Sequence, residues 1–213
     1  MTVKDIYYSR VPKDAGYNFM VNLISYIFEG LGNGLLIPYF LLVARKELHA
    51  NSSLIGLMTA AAGVGLILSF ITTGLVKQNK ELPCYIWMNI IGRVAIIFLI
   101  FAFNAPIFAF LMFIEEMTKS LPTPQYGIII QKIFPSDCRA TLISYGKIVL
   151  TLCTLLTTFL GGILIDKIGW HTVFFISGIL YLISSVVMFW FKIPNSEVKT
   201  NNIPIIPLMK FRI

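Results

Sequence analysis

Five charged side chains, Glu29, Arg93, Glu115, Glu116 and Lys119, lie inside stretches of sequence that are otherwise oily. Charge in the middle of an apolar segment is costly. Where it occurs it marks an ion path, a proton relay or a binding contact by default. A carboxylate in such surroundings can take up and release a proton, hold a cation or touch a substrate. Glu29 lies about thirteen residues into its segment, Arg93 about eleven, and Glu115 and Glu116 about ten. At about 1.5 Å per residue all four sit about 15–20 Å deep, in one layer. Arg93 and Glu115 are each about eleven residues from the tight turn at Asn104 and Ala105, so their depths match. The expected pairing is therefore Arg93 with Glu115 or Glu116, serving either function or helix packing alone. Lys119 follows Glu115 by four residues and Glu116 by three, spacings at which a helix brings side chains together.

Polar and helix-breaking residues cluster near these charges. Pro122, Thr123, Pro124, Gln125 and Tyr126 follow Lys119. Proline removes a backbone donor and frees carbonyls, and broken helices are tolerated in lipid where they line protein or a wet cavity. Asn22, Glu29, Asn33 and Pro38 interrupt the first apolar segment in a similar way. The candidate substrate or proton pathway is thus Glu29, Asn33, Glu115, Glu116, Lys119, Gln125 and Tyr126. For Glu29 the bland alternative is a buried carboxyl that merely stays neutral; for the proline pair it is a kink that serves packing.

The elements that must position these groups follow from composition. Of 213 residues, 57% are hydrophobic and 13% charged, with a mean hydropathy of +0.81. A soluble domain carries about 25% charged residues, so lipid is the solvent for most of this chain. Six apolar segments, at about 16–43, 53–76, 82–103, 106–130, 141–165 and 171–191, each reach the roughly 20 residues that cross a bilayer core. The expected class is an all-α membrane protein of six transmembrane helices over 15–193, with a short segment 1–14 before them and a tail 194–213 after. The connections are short: Asn104 and Ala105 between the third and fourth segments, and Asp166 to Trp170 between the fifth and sixth.

Twelve Lys and Arg residues, including Lys4, Arg10, Lys13, Lys80, Lys132, Arg139 and Lys192, fall on the segments that are inside if the N-terminus is inside; Arg45, Lys46 and Lys167 alone fall outside. Both termini are accordingly expected in the cytoplasm. The same rule accounts for the net charge of +7 without nucleic acid, for which no basic helix or aromatic-basic motif exists. The apolar stretch after Asp14 is too long for a removable signal and reads as a retained first helix. Cys84, Cys138 and Cys153 share no metal-type spacing, and free thiols are expected. No metal or cofactor set is present. No Ser-His-Asp set, H-E-x-x-H, Walker loop or Rossmann fingerprint occurs, so an enzyme is not expected. His49 and His171 read as solvated loop residues.

Small residues supply packing. Gly56 to Ala60 and Ala61 to Gly65 are spaced for close helix approach. Thr151, Thr154 and Thr158 read as a packing face whose hydroxyls can bond back to their own helix.

Two motifs resemble the major facilitator superfamily. Pro135 and Arg139 form a P-x-x-x-R turn on the side that charge counting makes cytoplasmic. Gly161, Gly162, Asp166, Gly169 and Trp170 form a G-G-x-L-x-D-x-x-G-W turn on the other side, followed by Phe174 and Phe175. The resemblance covers about one half of a twelve-span member and implies two inverted three-helix repeats. The stretch Gly74 to Lys80 departs from the family's loop signature between spans two and three, lacking its Asp and second Gly. Thr157 and Thr158 stand where drug antiporters carry Gly-Pro. An initiator Met and a charged leader favour the first half.

The resemblance implies a secondary transporter in the plasma membrane, or a truncated or split half of one, paired with a second six-helix half or with itself. It moves a small amphipathic solute, with efflux favoured and H+ as coupling ion. The alternative is a non-transporting membrane protein whose buried charges only pack helices.

Overall fold

A computed structural model describes residues 13–76 and 79–193. The leader through Pro12, Lys77 and the tail 194–213, to which several orientation expectations attach, lie outside the described residues. Among those described there is no strand. The helices are α1 (Lys13–Leu36), α2 (Phe40–Lys46), α3 (Ser52–Leu75), α4 (Glu81–Phe98), α5 (Ala105–Ser120), α6 (Thr123–Ile133), α7 (Ser136–Ile168) and α8 (Trp170–Val187). Single 3₁₀ turns, Leu99–Phe101 and Met188–Trp190, extend α4 and α8.

Five stretches are long and apolar enough to cross a membrane: Ala15–Lys46, Ser52–Gly74, Glu81–Phe101, Ser136–Ile168 and Trp170–Trp190. The chain is an integral membrane protein. The first stretch contains a break at Ile37 to Tyr39, where Pro38 cannot donate to the Gly34 carbonyl and Tyr39 N–H turns to Leu36 instead, at 3.1 Å. The fourth apolar segment is not one helix. It divides at Leu121 and Pro122 into α5 and α6, because Pro122 and Pro124 cannot donate to Thr118 and Ser120.

Sequence chemistry sets several ends. Asn51 and Asn104 cap α3 and α5, their side chains accepting from Leu54 N–H at 2.9 Å and Ile107 N–H at 3.0 Å. Two expected turns are shorter than the sequence suggested. The fifth segment begins at Ser136 rather than near Thr141, since Pro135 precedes a helix readily and no breaker follows it. Gly161, Gly162 and Asp166 lie within α7. Gly169 alone separates α7 from α8, at φ 81° and ψ 153°, a conformation almost restricted to glycine.

Helix α1 packs chiefly on α7 and α8, α3 on α5, and α4 on α5, α6 and α8. The buried apolar residues form two clusters. One holds Leu36, Val43, Leu99, Phe108, Met112, Trp170 and Phe174. The other holds Ile86, Ile129, Ile130, Phe134, Leu142, Met188 and Phe191. Along α4, the polar Asn89 and Arg93 come between Ile86 of the second cluster and Ile96 of the first. On α8, Ser184 and Ser185 separate Tyr181 from Val187 in the same way. A polar layer therefore crosses the middle of the bundle.

Close approach of helices depends on glycine at a few places. A Cβ on Gly34 would overlap the Thr157 hydroxyl and the Thr154 carbonyl, and one on Gly30 would overlap the Leu150 carbonyl. Thr154 and Thr157 donate to the Gly30 carbonyl at 3.2 and 3.4 Å. Thr154, Thr157 and Thr158 thus pack against α1, whereas Thr151, expected on the same face, is exposed and bonds back to the Lys147 carbonyl at 2.9 Å. On α3, Ala61 and Gly65 face α5, with Gly65 against the Met117 carbonyl. The expected Gly56 to Ala60 pair is instead exposed, and nothing lies near Gly56, because that pair falls on the helix face opposite Met58 and Gly65.

Candidate functional site

Asn22, Tyr26, Glu29 and Asn33 recur at spacings of four, three and four, so they line one face of α1. From Asn22 to Asn33 that face spans about 16 Å along the helix. Tyr85, Asn89 and Arg93 form a matching lane on α4, again four apart. The bundle turns these lanes toward each other, with Tyr126 of α6 and Tyr181 of α8 bridging them.

At one end of the lane stands the ion pair. Arg93 Nη1 donates to Glu115 Oε1 at 3.0 Å, and the two side chains are 4% and 1% exposed. Arg93 Nη2 reaches Asn89 Oδ1 at 3.4 Å. The guanidinium lies 4.1 Å from the centre of the Tyr181 ring, a cation–π contact, and Tyr181 donates its hydroxyl to Asn33 Oδ1. Asn33, Tyr181, Arg93 and Glu115 thereby connect α1, α8, α4 and α5 in one chain of contacts. Two of its atoms have no hydrogen-bond partner among the described residues, Arg93 Nε and Glu115 Oε2. Gly92 permits the pairing: a Cβ there would overlap the Thr118 hydroxyl on α5.

The other end is aromatic. Tyr126 donates to Asn22 Oδ1 at 3.1 Å, and the Tyr26 and Tyr126 hydroxyls meet at 2.8 Å. The Tyr85 and Tyr126 rings stack with centroids 5.2 Å apart. Gly146 on α7 makes room for Tyr26, whose ring a Cβ at 146 would strike. Gln125 is buried and its Nε2 donates to Thr72 of α3 at 3.3 Å, with its Oε1 unpartnered among the described residues. It therefore points toward α3 and away from Tyr126.

Glu29 lies between the two ends and is half-buried. It joins no ion pair among the described residues. Glu116 and Lys119 are also half-buried. Neither lies within ion-pair distance of an opposite charge among the described residues. The Lys119 contact expected from helical spacing is absent, and Arg93 selects Glu115, not Glu116, because Glu115 occupies the face of α5 turned into the bundle.

The two motif turns have mechanical tasks. Arg139 donates to the Phe134 carbonyl at 3.0 and 3.2 Å and to the Gln131 carbonyl at 3.2 Å, satisfying backbone groups left open at the end of α6. Pro135 immediately precedes α7 at the same corner. Nearby, Lys132 pairs with Glu81 at 2.9 Å, tying α6 to the start of α4. At the opposite motif, Gly161 and Gly162 receive the Tyr39 ring, and the Tyr39 hydroxyl bonds to the Thr158 carbonyl. Trp170 packs edge-on against Phe108 and Phe174. Asp166 is exposed. His171, expected in a loop, sits in the first turn of α8 and stacks on Trp170 with centroids 3.5 Å apart; the break is one residue, so His171 is already helical.

Sequence reasoning missed Tyr26, Tyr85, Asn89 and Tyr181. The repeated spacings on α1 and α4 were the available signal. For Tyr181 the signal was Ser177, four residues before it, with Ser184 and Ser185, three and four after, on the same face of α8.

Comparison with known proteins adds two findings. The family profile described as Major Facilitator Superfamily matches residues 23–207. The bicyclomycin resistance protein homolog of Haemophilus influenzae is 26% identical over 98 residues, 46% of this chain and 24% of that protein. The match thus spans about a quarter of the relative's length, 24%.

Proposed function

The chain belongs to the major facilitator superfamily, and on that premise we propose that it is the six-span unit of a secondary transporter that exports a small amphipathic solute in exchange for H+. In this reading α1 with α2 is one crossing and α5 with α6 another, each broken by proline. Their pairing supports two inverted repeats. The first crossing packs on the fifth as the second packs on the fourth, the first packs on the sixth as the fourth packs on the third, and the third meets the sixth. Exchanging repeats leaves that pattern unchanged.

The observation that carries the proposal is the mid-bundle layer, where a sealed Arg93–Glu115 pair sits beside Glu29, a half-buried carboxylate with no ionic partner among the described residues. A charge in that position is expensive unless something binds it. Glu29, with Glu116, is the group to take a proton or a substrate, while Glu115 is held by Arg93. Asn33, Lys119, Gln125 and Tyr126 belong to the same pathway. Efflux takes its support from the relative, which is named as a resistance protein.

The proposed membrane is the plasma membrane, and the distribution of basic residues supports cytoplasmic termini. A second six-helix half, or a second copy, covers α3 and α7, whose outward faces are apolar and exposed along most of their length.

Proteoliposomes carrying a pH gradient test the proposal. Solute-dependent proton movement is expected, with Glu29→Gln reducing it at least tenfold while expression and melting stay unchanged. Equal movement in Glu29→Gln and the parent would remove Glu29 from the mechanism. A second reading, a membrane protein that transports nothing, draws on one observation: Arg93 and Glu115 are so fully enclosed that they serve packing equally well. No proton movement with any amphipathic solute would favour it.

A further inference from the structure

Helices α1 and α7 run parallel and in step. Tyr26 meets Gly146, Gly30 meets Leu150 and Gly34 meets Thr157, so rising numbers pair with rising numbers. Lys147 therefore stands at a level between Tyr26 and Glu29, well inside the first crossing, Ala15–Lys46. The charge count groups Lys147 with the cytoplasmic cations, yet it lies within the crossing Ser136–Ile168, eleven residues along α7 from Ser136. That is about 16 Å of helix.

Lys147, Thr151, Thr154 and Thr158 recur at four, three and four, the spacing that Asn22, Tyr26, Glu29 and Asn33 follow on α1. The two polar stripes share one side of the seam between the helices. Glu29 is turned from Gly30 by about 100° in one sense, and Lys147 is turned from Leu150 by about 60° in the other. On parallel helices that face each other, opposite senses lead to the same side. That side is where Tyr126 meets Asn22 and Tyr26. Lys147 thus turns toward the lane, away from the outward-facing Leu156 and Phe159.

The side chain of Lys147 is exposed and joins no ion pair among the described residues. A groove of about 270 Å³ opens beside it, lined by Lys147, Ile148, Thr151 and Leu152. The Thr151 hydroxyl is spent on the Lys147 carbonyl at 2.9 Å. Of the four lining side chains, the ammonium is then the uncommitted donor, and Ile148 and Leu152 supply apolar walls. A charge inside a crossing is costly, and where it faces the bundle interior or a wet cavity it marks a solute path. An ammonium is a compact positive charge with three donors and no acceptor. It repels a cation, and a neutral solute leaves it uncompensated; a carboxylate matches it in both charge and hydrogen bonding.

Resting on the transporter reading above for the solute path, though on neither its direction nor its coupling ion, we infer that the Lys147 groove binds the carboxylate end of an amphipathic organic anion. The ammonium takes the charge, and Ile148 and Leu152 take the apolar part beside it.

Equilibrium binding to the intact chain in non-ionic detergent at neutral pH tests this, with empty micelles as blank. The probes are a radiolabelled aryl-alkyl carboxylate and its primary amide, which keeps the shape and loses the charge. The carboxylate should bind at least about tenfold more tightly than the amide. Lys147→Gln should weaken the carboxylate about tenfold and leave the amide within about threefold of the parent. Lys147→Arg, which keeps the charge, should stay within about threefold for both probes. Equal affinity for carboxylate and amide in the parent overturns the inference; if phosphatidylglycerol then copurifies with the parent and not with Lys147→Gln, the occupant is a lipid headgroup. A Lys147→Gln protein that melts like the parent and binds the carboxylate like it overturns the inference as well. Should Lys147→Gln fail to fold, the two probes on the unaltered chain still decide the matter. Proton movement in liposomes separates the two readings. Carboxylate preference without solute-dependent proton movement overturns the transporter reading and leaves the anion site standing. Proton-linked movement of neutral solutes without carboxylate preference does the reverse.

Discussion

Removing the Arg93 side chain should damage the fold, and a second change should repair it. In Arg93→Ala, Glu115 keeps its place, 1% exposed, and loses its one ion-pair partner among the described residues. Breaking one side of a buried pair costs about 3–5 kcal/mol. The contact with the Tyr181 ring, at 4.1 Å, adds about 1 kcal/mol to that loss. Glu115→Gln in the same chain removes the stranded charge and should recover about 2–3 kcal/mol, leaving the lost packing and ring contact unrepaired. Glu116→Gln should recover nothing, because Glu116 makes no ion pair with Arg93. The assay is a double-mutant cycle on unfolding in mixed micelles. A coupling energy below about 0.5 kcal/mol between Arg93 and Glu115 would refute the reasoning, since residues in one network couple by more than that. Rescue by Glu116→Gln equal to that by Glu115→Gln would refute the assignment of the partner.

Other outcomes follow from single contacts. Gly34→Ala places a methyl against the Thr154 carbonyl and should cost about 1–3 kcal/mol of stability, whereas Gly63→Ala, facing open space, should be neutral or stabilise by up to about 1 kcal/mol; melting in one detergent compares them. Gly169→Ala forces an alanine to φ 81° and should lower stability by about 1–3 kcal/mol on the same measurement. Arg139→Ala strips three hydrogen bonds from the end of α6 and should cost about 1.5–3 kcal/mol, with faster hydrogen exchange at the start of α7, where the capped corner is.

Much of the charged layer was legible because depth in a membrane is countable. A fixed rise per residue and a short turn at Asn104 placed Arg93 level with Glu115, and the structure has them 3.0 Å apart. The choice between Glu115 and Glu116 was not legible, since adjacent residues share a depth and differ only in which way they face. The break at Pro122 followed from proline's missing donor. The start of α7 did not, because Pro135 was weighed as part of a turn and not as the residue before a helix. The tyrosines escaped for a different reason. In lipid-facing sequence an aromatic side chain is ordinary, and only its phase relative to Glu29 or Arg93 distinguishes Tyr26 and Tyr85 from Tyr145 on the outer face of α7.

The meeting of Gly30 and Gly34 with the α7 threonines fixes more than a distance. Gliding α1 along α7 by a single residue would drive Leu31 and Leu35 into the backbone where hydrogen atoms now fit. That seam has one register, so these two helices travel as a single bar. Any rocking of the bundle has to find its give elsewhere, among contacts that bulkier side chains already hold apart.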